Sequence, residues 1–169
     1  MQADFPKPLV LIGFMGCGKS SVGRKLAAAL DRKFLDCDTV LEAQFGQAIS
    51  ALFAAGREAE FRQAEADLVQ SLCKSATNIV IATGGGVCMA AASANAIREH
   101  SLCIWLDAPW PVLQARLGKD PSRPLLAGNP EQLYRQRQAV YAACASVRVK
   151  ADQAVELVLD EIIARIKSI

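Results

Sequence analysis

The chain is 169 residues long, about the size of one domain on a prior of ~150 residues, and 52% of it is hydrophobic, enough for a packed core. Nineteen basic and seventeen acidic side chains leave a net charge of +2, which argues against nucleic-acid and membrane partners held by charge alone; any anion must be met by individually placed Lys and Arg. Six cysteines without a CxxC pair, together with a single His, argue against a zinc site and a disulfide framework, and residues 1–8 carry no apolar leader, so the sequence reads as a cytoplasmic protein.

Along the chain, strand and helix alternate. Leu9-Val10-Leu11-Ile12 is wholly apolar, as a central parallel strand should be. A Gly-rich turn follows, then Val22, Leu26 and Leu30 at helical spacing with Arg24 and Lys25 off that face. Phe34-Leu35 opens a second strand that ends in Asp36-Cys37-Asp38. A long helix is expected from about Arg57 to Lys74. Ile79 to Ala82 is a third strand, ending in Gly84-Gly85-Gly86, and Leu102 to Leu106 a fourth. Pro111 to Leu117 reads as a short helix. The stretch from Gly118 to Asn129, with Pro121 and Pro124 inside it, is expected to be a mobile lid loop. Asn129-Pro130-Glu131 combines a cap, a first-turn proline and an acid beside the helix dipole, so a helix should run on to about Ser146. Val147 to Val149 is a fifth strand. In the last helix Val155, Val158, Leu159, Ile162, Ile163 and Ile166 share one stripe. This alternation predicts an α/β fold of three layers, α/β/α, with a parallel sheet, in a single domain over 1–169. Ligands then bind at the carboxyl ends of the strands.

Gly13-Phe14-Met15-Gly16-Cys17-Gly18-Lys19-Ser20 matches G-x-x-x-x-G-K-[ST] at every fixed position, between a buried strand and an amphipathic helix. Such a loop turns successive backbone N–H groups inward around phosphate oxygens, and the helix behind it adds its positive end. Lys19 can reach the β and γ phosphates, and the Ser20 hydroxyl can ligate Mg²⁺. The motif establishes nucleotide phosphate binding without choosing among kinase, ATPase and GTPase. Cys17 lies inside it, near a helix start and Lys19, so alkylation there should inactivate the protein and ATP should protect it.

Asp36 and Asp38, two apart, should point to one face of the second strand. One could hold Mg²⁺ through water, and the other orient and deprotonate an attacking hydroxyl. Asp107, at the end of an apolar strand, is a rival for the metal role. Arg137 falls on the same helical face as Leu133, Val140, Tyr141 and Cys144, where a cation needs an anionic partner. Arg62, with Glu65 three residues on, suits a carboxylate ligand. Arg123 sits in the lid and could close over the transferring phosphate.

Taken together, the phosphate loop, Asp36-x-Asp38, Phe61-Arg62, the triple glycine, Arg123-Pro124-Leu125-Leu126 and Arg137 with Tyr141 resemble the shikimate kinases over nearly the whole chain. The resemblance implies a P-loop kinase of the nucleoside-monophosphate-kinase type, with a five-stranded parallel sheet, a lid near 118–129 and substrate-binding helices near 38–74. It implies ATP- and Mg²⁺-dependent phosphorylation of the 3-hydroxyl of shikimate, in aromatic amino-acid biosynthesis, by a monomer. Gly16, Cys17, Gly18, Lys19, Ser20, Ser21, Arg116 and Arg123 would then face the nucleotide. Asp38, Arg62, Gly84, Gly85, Gly86 and Arg137 would face shikimate, Ser20 and Asp36 the metal, and Lys19, Asp38 and Arg123 would carry the catalysis. Ser21 stands where the family often has Thr, Arg57 replaces a glycine often found before Glu58, and Lys150 to Ala154 lacks the Arg and Pro that some members use near adenine. The alternatives are another small P-loop kinase, such as a gluconate or nucleotide kinase, and a non-catalytic nucleotide-binding module; a GTP switch is disfavoured because no N-K-x-D run is present.

Overall fold

All four residues of β1 (Leu9–Ile12) are fully buried, and the sheet is built outward from them. The computed structural model describes residues 5–118 and 128–169. After β1 come α1 (Lys19–Ala29), β2 (Lys33–Asp36), α2 (Cys37–Phe45), α3 (Ile49–Ala54), α4 (Glu58–Ser75) and β3 (Ile79–Ala82). A 3₁₀ turn at Val87–Met89 leads to α5 (Ala91–His100), β4 (Leu102–Asp107) and α6 (Trp110–Leu117). The chain closes with α7 (Pro130–Cys144), β5 (Val147–Lys150) and α8 (Val155–Lys167). The five strands are all parallel, in the order β2-β3-β1-β4-β5. Helix α1 packs over β2 and β3 with α8 beside it, while α5 packs between α4 and α7, and α5 and α7 pack on β4, giving the expected three layers.

The order places β3 and β4 on either side of β1. The chain leaves β1 toward β2 and β3 and later returns on the other side to β4 and β5, so a crevice opens at the carboxyl end of β1. Thr83, just past β3, ties the two walls together: its backbone N–H and its hydroxyl both donate to Leu11 O, at 3.2 and 2.8 Å. A second, smaller hydrophobic cluster lies away from the sheet. Leu41, Leu52 and Phe61 are its buried members, with Phe45, Ile49 and Phe53 packed around them. It holds α2, α3 and α4 together over the crevice.

Local chemistry accounts for the helix ends. Asn129 accepts from Gln132 N at 3.0 Å and Pro130 follows it, as expected for α7. Glu58 and Glu60 open α4 and Lys74 closes it, in the sense the helix dipole favours. Arg57 needs no glycine conformation: its φ is −96°, and its guanidinium pairs with Glu60 at 2.8 Å. Sequence reasoning assigned nothing to α5, because Ala91-Ala92-Ser93-Ala94-Asn95 has no apolar stripe; only Ser93, Ala96 and Ile97 are buried along it. Of the expected lid, residues 119–127 and with them Arg123 lie outside the described residues. Among the described residues no helix is long and apolar enough to cross a membrane.

Candidate active site

The phosphate loop adopts the conformation its glycines allow. Gly16 and Gly18 have φ of +81° and +98°, which side-chain-bearing residues rarely adopt. Gly18 caps α1, and neither a capping side chain nor an acid occupies the first turn. The free N–H groups of that turn and the helix dipole are therefore left to an anion. Lys19 is buried, its ammonium donating to Gly13 O at 2.7 Å and Phe14 O at 3.1 Å. It is held against the loop, where phosphate oxygens would be met. Arg116 braces the same loop from α6, donating to Gly16 O and to Ala151 O, both at 3.2 Å. It thus links the phosphate loop to the segment after β5.

The two aspartates come together by a different route from the one expected. The strand stops at Asp36, whose carboxylate caps α2 by accepting from Asp38 N at 3.0 Å and Thr39 N at 3.4 Å. Asp38 is therefore a first-turn helix residue and not a strand neighbour on the same face; an Asp that can cap ends the strand pattern. The Ser20 hydroxyl donates to the other oxygen of Asp36. A hydroxyl and a carboxylate side by side are hard oxygen donors, a set that suits Mg²⁺ with the rest of its shell left to water and phosphate. Asp107 is engaged elsewhere, with Arg148 donating to its Oδ2 at 3.0 and 2.6 Å. Burial, then the charges of Asp36 and Glu65, push the Asp38 carboxyl up to about 6, against the pull of Lys19. That lies close to the range a general base needs.

Beyond Asp38 lies a pocket of about 320 Å³. Its walls come from α2, α3, α4, the phosphate loop residue Met15 and the triple glycine. Arg62 reaches in from α4, held by Glu65 at 2.9 Å and by Glu58 at 3.6 Å. Arg137 from α7 is 4% exposed, lies over the Phe14 ring at 5.7 Å, and among the described residues has no hydrogen-bond partner for Nε or Nη1. Buried Glu65 likewise leaves Oε1 without a partner among the described residues. Buried polar groups are ordinarily satisfied, so such orphans mark a place for a ligand.

The three glycines are explained by what they pass. A Cβ on Gly84 would lie 2.5 Å from Glu65 Oε1 and 3.1 Å from Asp38 Oδ1. One on Gly85 would lie 3.3 Å from Arg137 Nη1 and 3.4 Å from Met15 N, and one on Gly86 would lie 2.7 Å from Arg62 Nη1. Each glycine faces one of the charged groups of the site. Tyr141 fixes this turn, its hydroxyl donating to Gly85 O at 2.5 Å, and burial keeps that hydroxyl protonated.

The structure thus brings Lys19, Ser20, Asp36, Asp38, Arg62, Gly84, Gly85, Gly86 and Arg137 to one strand-end crevice. Cys17 differs from expectation. It is 2% exposed and packs against Gly13, with Sγ 3.7 Å from Lys19 Nζ, so the loop does not present the thiol to an alkylating reagent. Ile49, Phe53 and Glu42, all lining the pocket, escaped sequence reasoning. The spacing of Ile49, Leu52 and Phe53 was the available signal for a short helix. That Phe53 also turns toward the pocket follows only from its edge-on packing against Phe61, at 5.4 Å.

Comparison with known proteins agrees with this geometry. A family model described as shikimate kinase matches residues 15–167. A shikimate kinase of Nostoc sp. is 37% identical over 167 residues, covering 95% of this chain and 91% of the relative. The solved shikimate kinase from Acinetobacter baumannii in complex with shikimate superposes with a TM-score of 0.90 at 32% identity, covering 98% of this chain and 95% of that one. A gluconokinase from Sinorhizobium meliloti shares only the fold, with a TM-score of 0.62 at 17% identity over 97% of this chain and 93% of that one.

Proposed function

The chain belongs to the shikimate kinase family, and from this premise we propose that it transfers the terminal phosphoryl group of ATP to the 3-hydroxyl of shikimate, as a monomer and a single kinase domain in the cytoplasm, within aromatic amino-acid biosynthesis. The observation that carries the reading is Gly85. A Cβ there would lie within 3.4 Å of both Arg137 Nη1, on the acceptor side, and Met15 N, in the phosphate loop. The acceptor pocket and the phosphate loop meet at this point, with no side chain between them.

The roles follow from the chemistry of each group. Arg62 and Arg137 take the acceptor carboxylate, which pairs the orphaned guanidinium nitrogens and fixes the ring. Asp38 accepts a hydrogen bond from the attacking hydroxyl and takes its proton as the O–P bond forms; with its pKa near 6 it is ionised at neutral pH. Lys19 and the N–H groups of Gly16, Cys17, Gly18, Ser20 and Ser21 hold the phosphates in line and neutralise charge that builds up on them. Ser20 and Asp36 are the residues that would hold Mg²⁺, which when bound neutralises phosphate charge. Arg116 supports the nucleotide side through Gly16 O, and Arg123 is assigned to the lid. Positioning supplies much of the rate, because the two reactants are held rather than encountered.

The test is ADP release measured with shikimate, gluconate and nucleoside monophosphates as acceptors. We expect turnover with shikimate alone. Turnover with gluconate or a nucleotide and none with shikimate would overturn the reading.

A further inference from the structure

Arg137 carries its charge into the interior, and among the described residues neither its Nε nor its Nη1 has a hydrogen-bond partner. A buried guanidinium is costly, and a long side chain held by so few bonds keeps alternative rotamers open. Two-point capture of a carboxylate nevertheless needs the planar fork at one angle. Tyr141, one helical turn further along α7, gives its hydroxyl to Gly85 O. The group that lies under the guanidinium is the ring of Phe14, its centroid 5.7 Å from Cζ. An aromatic face attracts a desolvated cation and at the same time sets the plane against which it rests. The ring is itself fixed. It is 2% exposed and meets Trp110, the first residue of α6, at 6.2 Å and 81°, and Tyr134 of α7 at 5.6 Å and 85°. Both are edge-on contacts of the kind aromatic rings prefer. Tyr134 is anchored in turn by its hydroxyl, which donates to Ala108 O at 3.2 Å, just past β4. Tyr134 and Arg137 are three apart on one helix, so Phe14 grips α7 on neighbouring turns.

The backbone of the same residue belongs to the nucleotide side. Phe14 O accepts from the Lys19 ammonium at 3.1 Å and from Cys17 N at 3.2 Å. The phosphate-loop pattern asks for no particular side chain at this position, because phosphates are met there by backbone N–H groups. We propose that Phe14 is a positioning residue for the acceptor: from inside the phosphate loop, its ring aims the Arg137 guanidinium at the acceptor carboxylate, and nucleotide binding does not depend on that ring. This role rests on the acceptor reading above, because Phe14 acts only through Arg137. The loop is then two-sided, with its backbone toward ATP and the Phe14 ring under the cation that takes the acceptor. A ring that only filled the core would favour neither substrate over the other.

The test is steady-state kinetics on a double-mutant cycle. Phe14→Leu keeps apolar bulk and removes the ring face. It should raise the KM for shikimate about tenfold and leave kcat and the KM for ATP within about twofold. In an Arg137→Ala background the same change should move the KM for shikimate by less than about twofold, because no guanidinium remains to be aimed. Tyr134→Leu, which removes a ring that holds Phe14, should raise the KM for shikimate about threefold, and Tyr134→Phe, which keeps the ring, should behave as the wild type. An unchanged KM for shikimate in Phe14→Leu, a rise in the KM for ATP instead, or an equal rise with and without Arg137 would overturn the proposal. If Phe14→Leu fails to fold, the two Tyr134 variants, made with and without Arg137, decide alone. A wild-type chain that phosphorylates another acceptor and not shikimate would overturn the acceptor reading itself. Normal shikimate turnover with additive losses would overturn the role of Phe14 alone.

Discussion

The phosphate loop and the acceptor pocket share one crevice but are built in opposite ways. In the loop the side chains have protein partners: Lys19 on Gly13 O and Phe14 O, Ser20 on Asp36. In the pocket, Arg137 and Glu65 keep orphaned buried atoms, and Asp38 carries a raised pKa. The loop binds with backbone N–H groups and a helix end, which eight consecutive residues can supply. The pocket is lined with charged side chains brought from α2 and α4, with Arg137 of α7 beside the triple glycine, and some of their buried atoms lack partners among the described residues. Universal phosphate recognition can be local, whereas recognition of one acceptor needs a constellation.

That contrast can be broken by mutation. Lys19→Ala should lower kcat by about 10³-fold, because it removes charge neutralisation at the phosphates, while calorimetry should find shikimate affinity little changed; an equal loss of shikimate affinity would show that the two regions are not separable. Asp38→Asn should lower kcat by about 10²- to 10³-fold, yet raise thermal stability. In the folded chain Asp38 holds its proton up to about pH 6, against 3.8 as the ordinary value, so its contribution to stability is fully present below 3.8 and is lost as pH rises through 6. At pH 7.5 the Asn variant should therefore gain about 2 kcal/mol in denaturant unfolding, and a variant that loses stability at that pH would contradict the desolvated-carboxylate account.

The same group sets the pH profile. Below about pH 6 kcat/KM for shikimate should fall about tenfold per unit as Asp38 gains its proton, and a flat profile down to pH 5 would remove Asp38 from the base role. Arg137→Ala should lower kcat/KM for shikimate by about 10²-fold, chiefly through KM, with the KM for ATP unchanged. Gly85→Ala is the mildest: its Cβ meets Arg137 Nη1 at 3.3 Å and Met15 N at 3.4 Å, so small shifts suffice and the KM for shikimate should rise by about tenfold. If that rise appeared in the KM for ATP alone, the pocket would not meet the loop at Gly85.

Strong local signals were legible from the chain. The strands β1, β3 and β4, the cap of α7 and the apolar stripe of α8 all lie where hydrophobic pattern and capping chemistry put them. Helix α5 was not legible, because its alanines carry no periodicity. The strand reading of Asp38 failed because Asp36 caps a helix as readily as it ends a strand. Arg137 was legible as a misfit, a cation on an apolar face, but its orphaned nitrogens and its place over Phe14 were not.

By itself the sequence determined the phosphate loop, since a backbone nest and a helix start are made within eight residues and depend on glycines that can be read directly. It also determined the alternation of strands and helices, since burial on both faces leaves continuous apolar runs. Only the tertiary structure decided that each glycine of the triplet faces a different charged group and that burial raises the Asp38 carboxyl. Those facts depend on distances between residues up to 52 positions apart, from Gly85 to Arg137, and such distances are set by how the helices pack on the sheet.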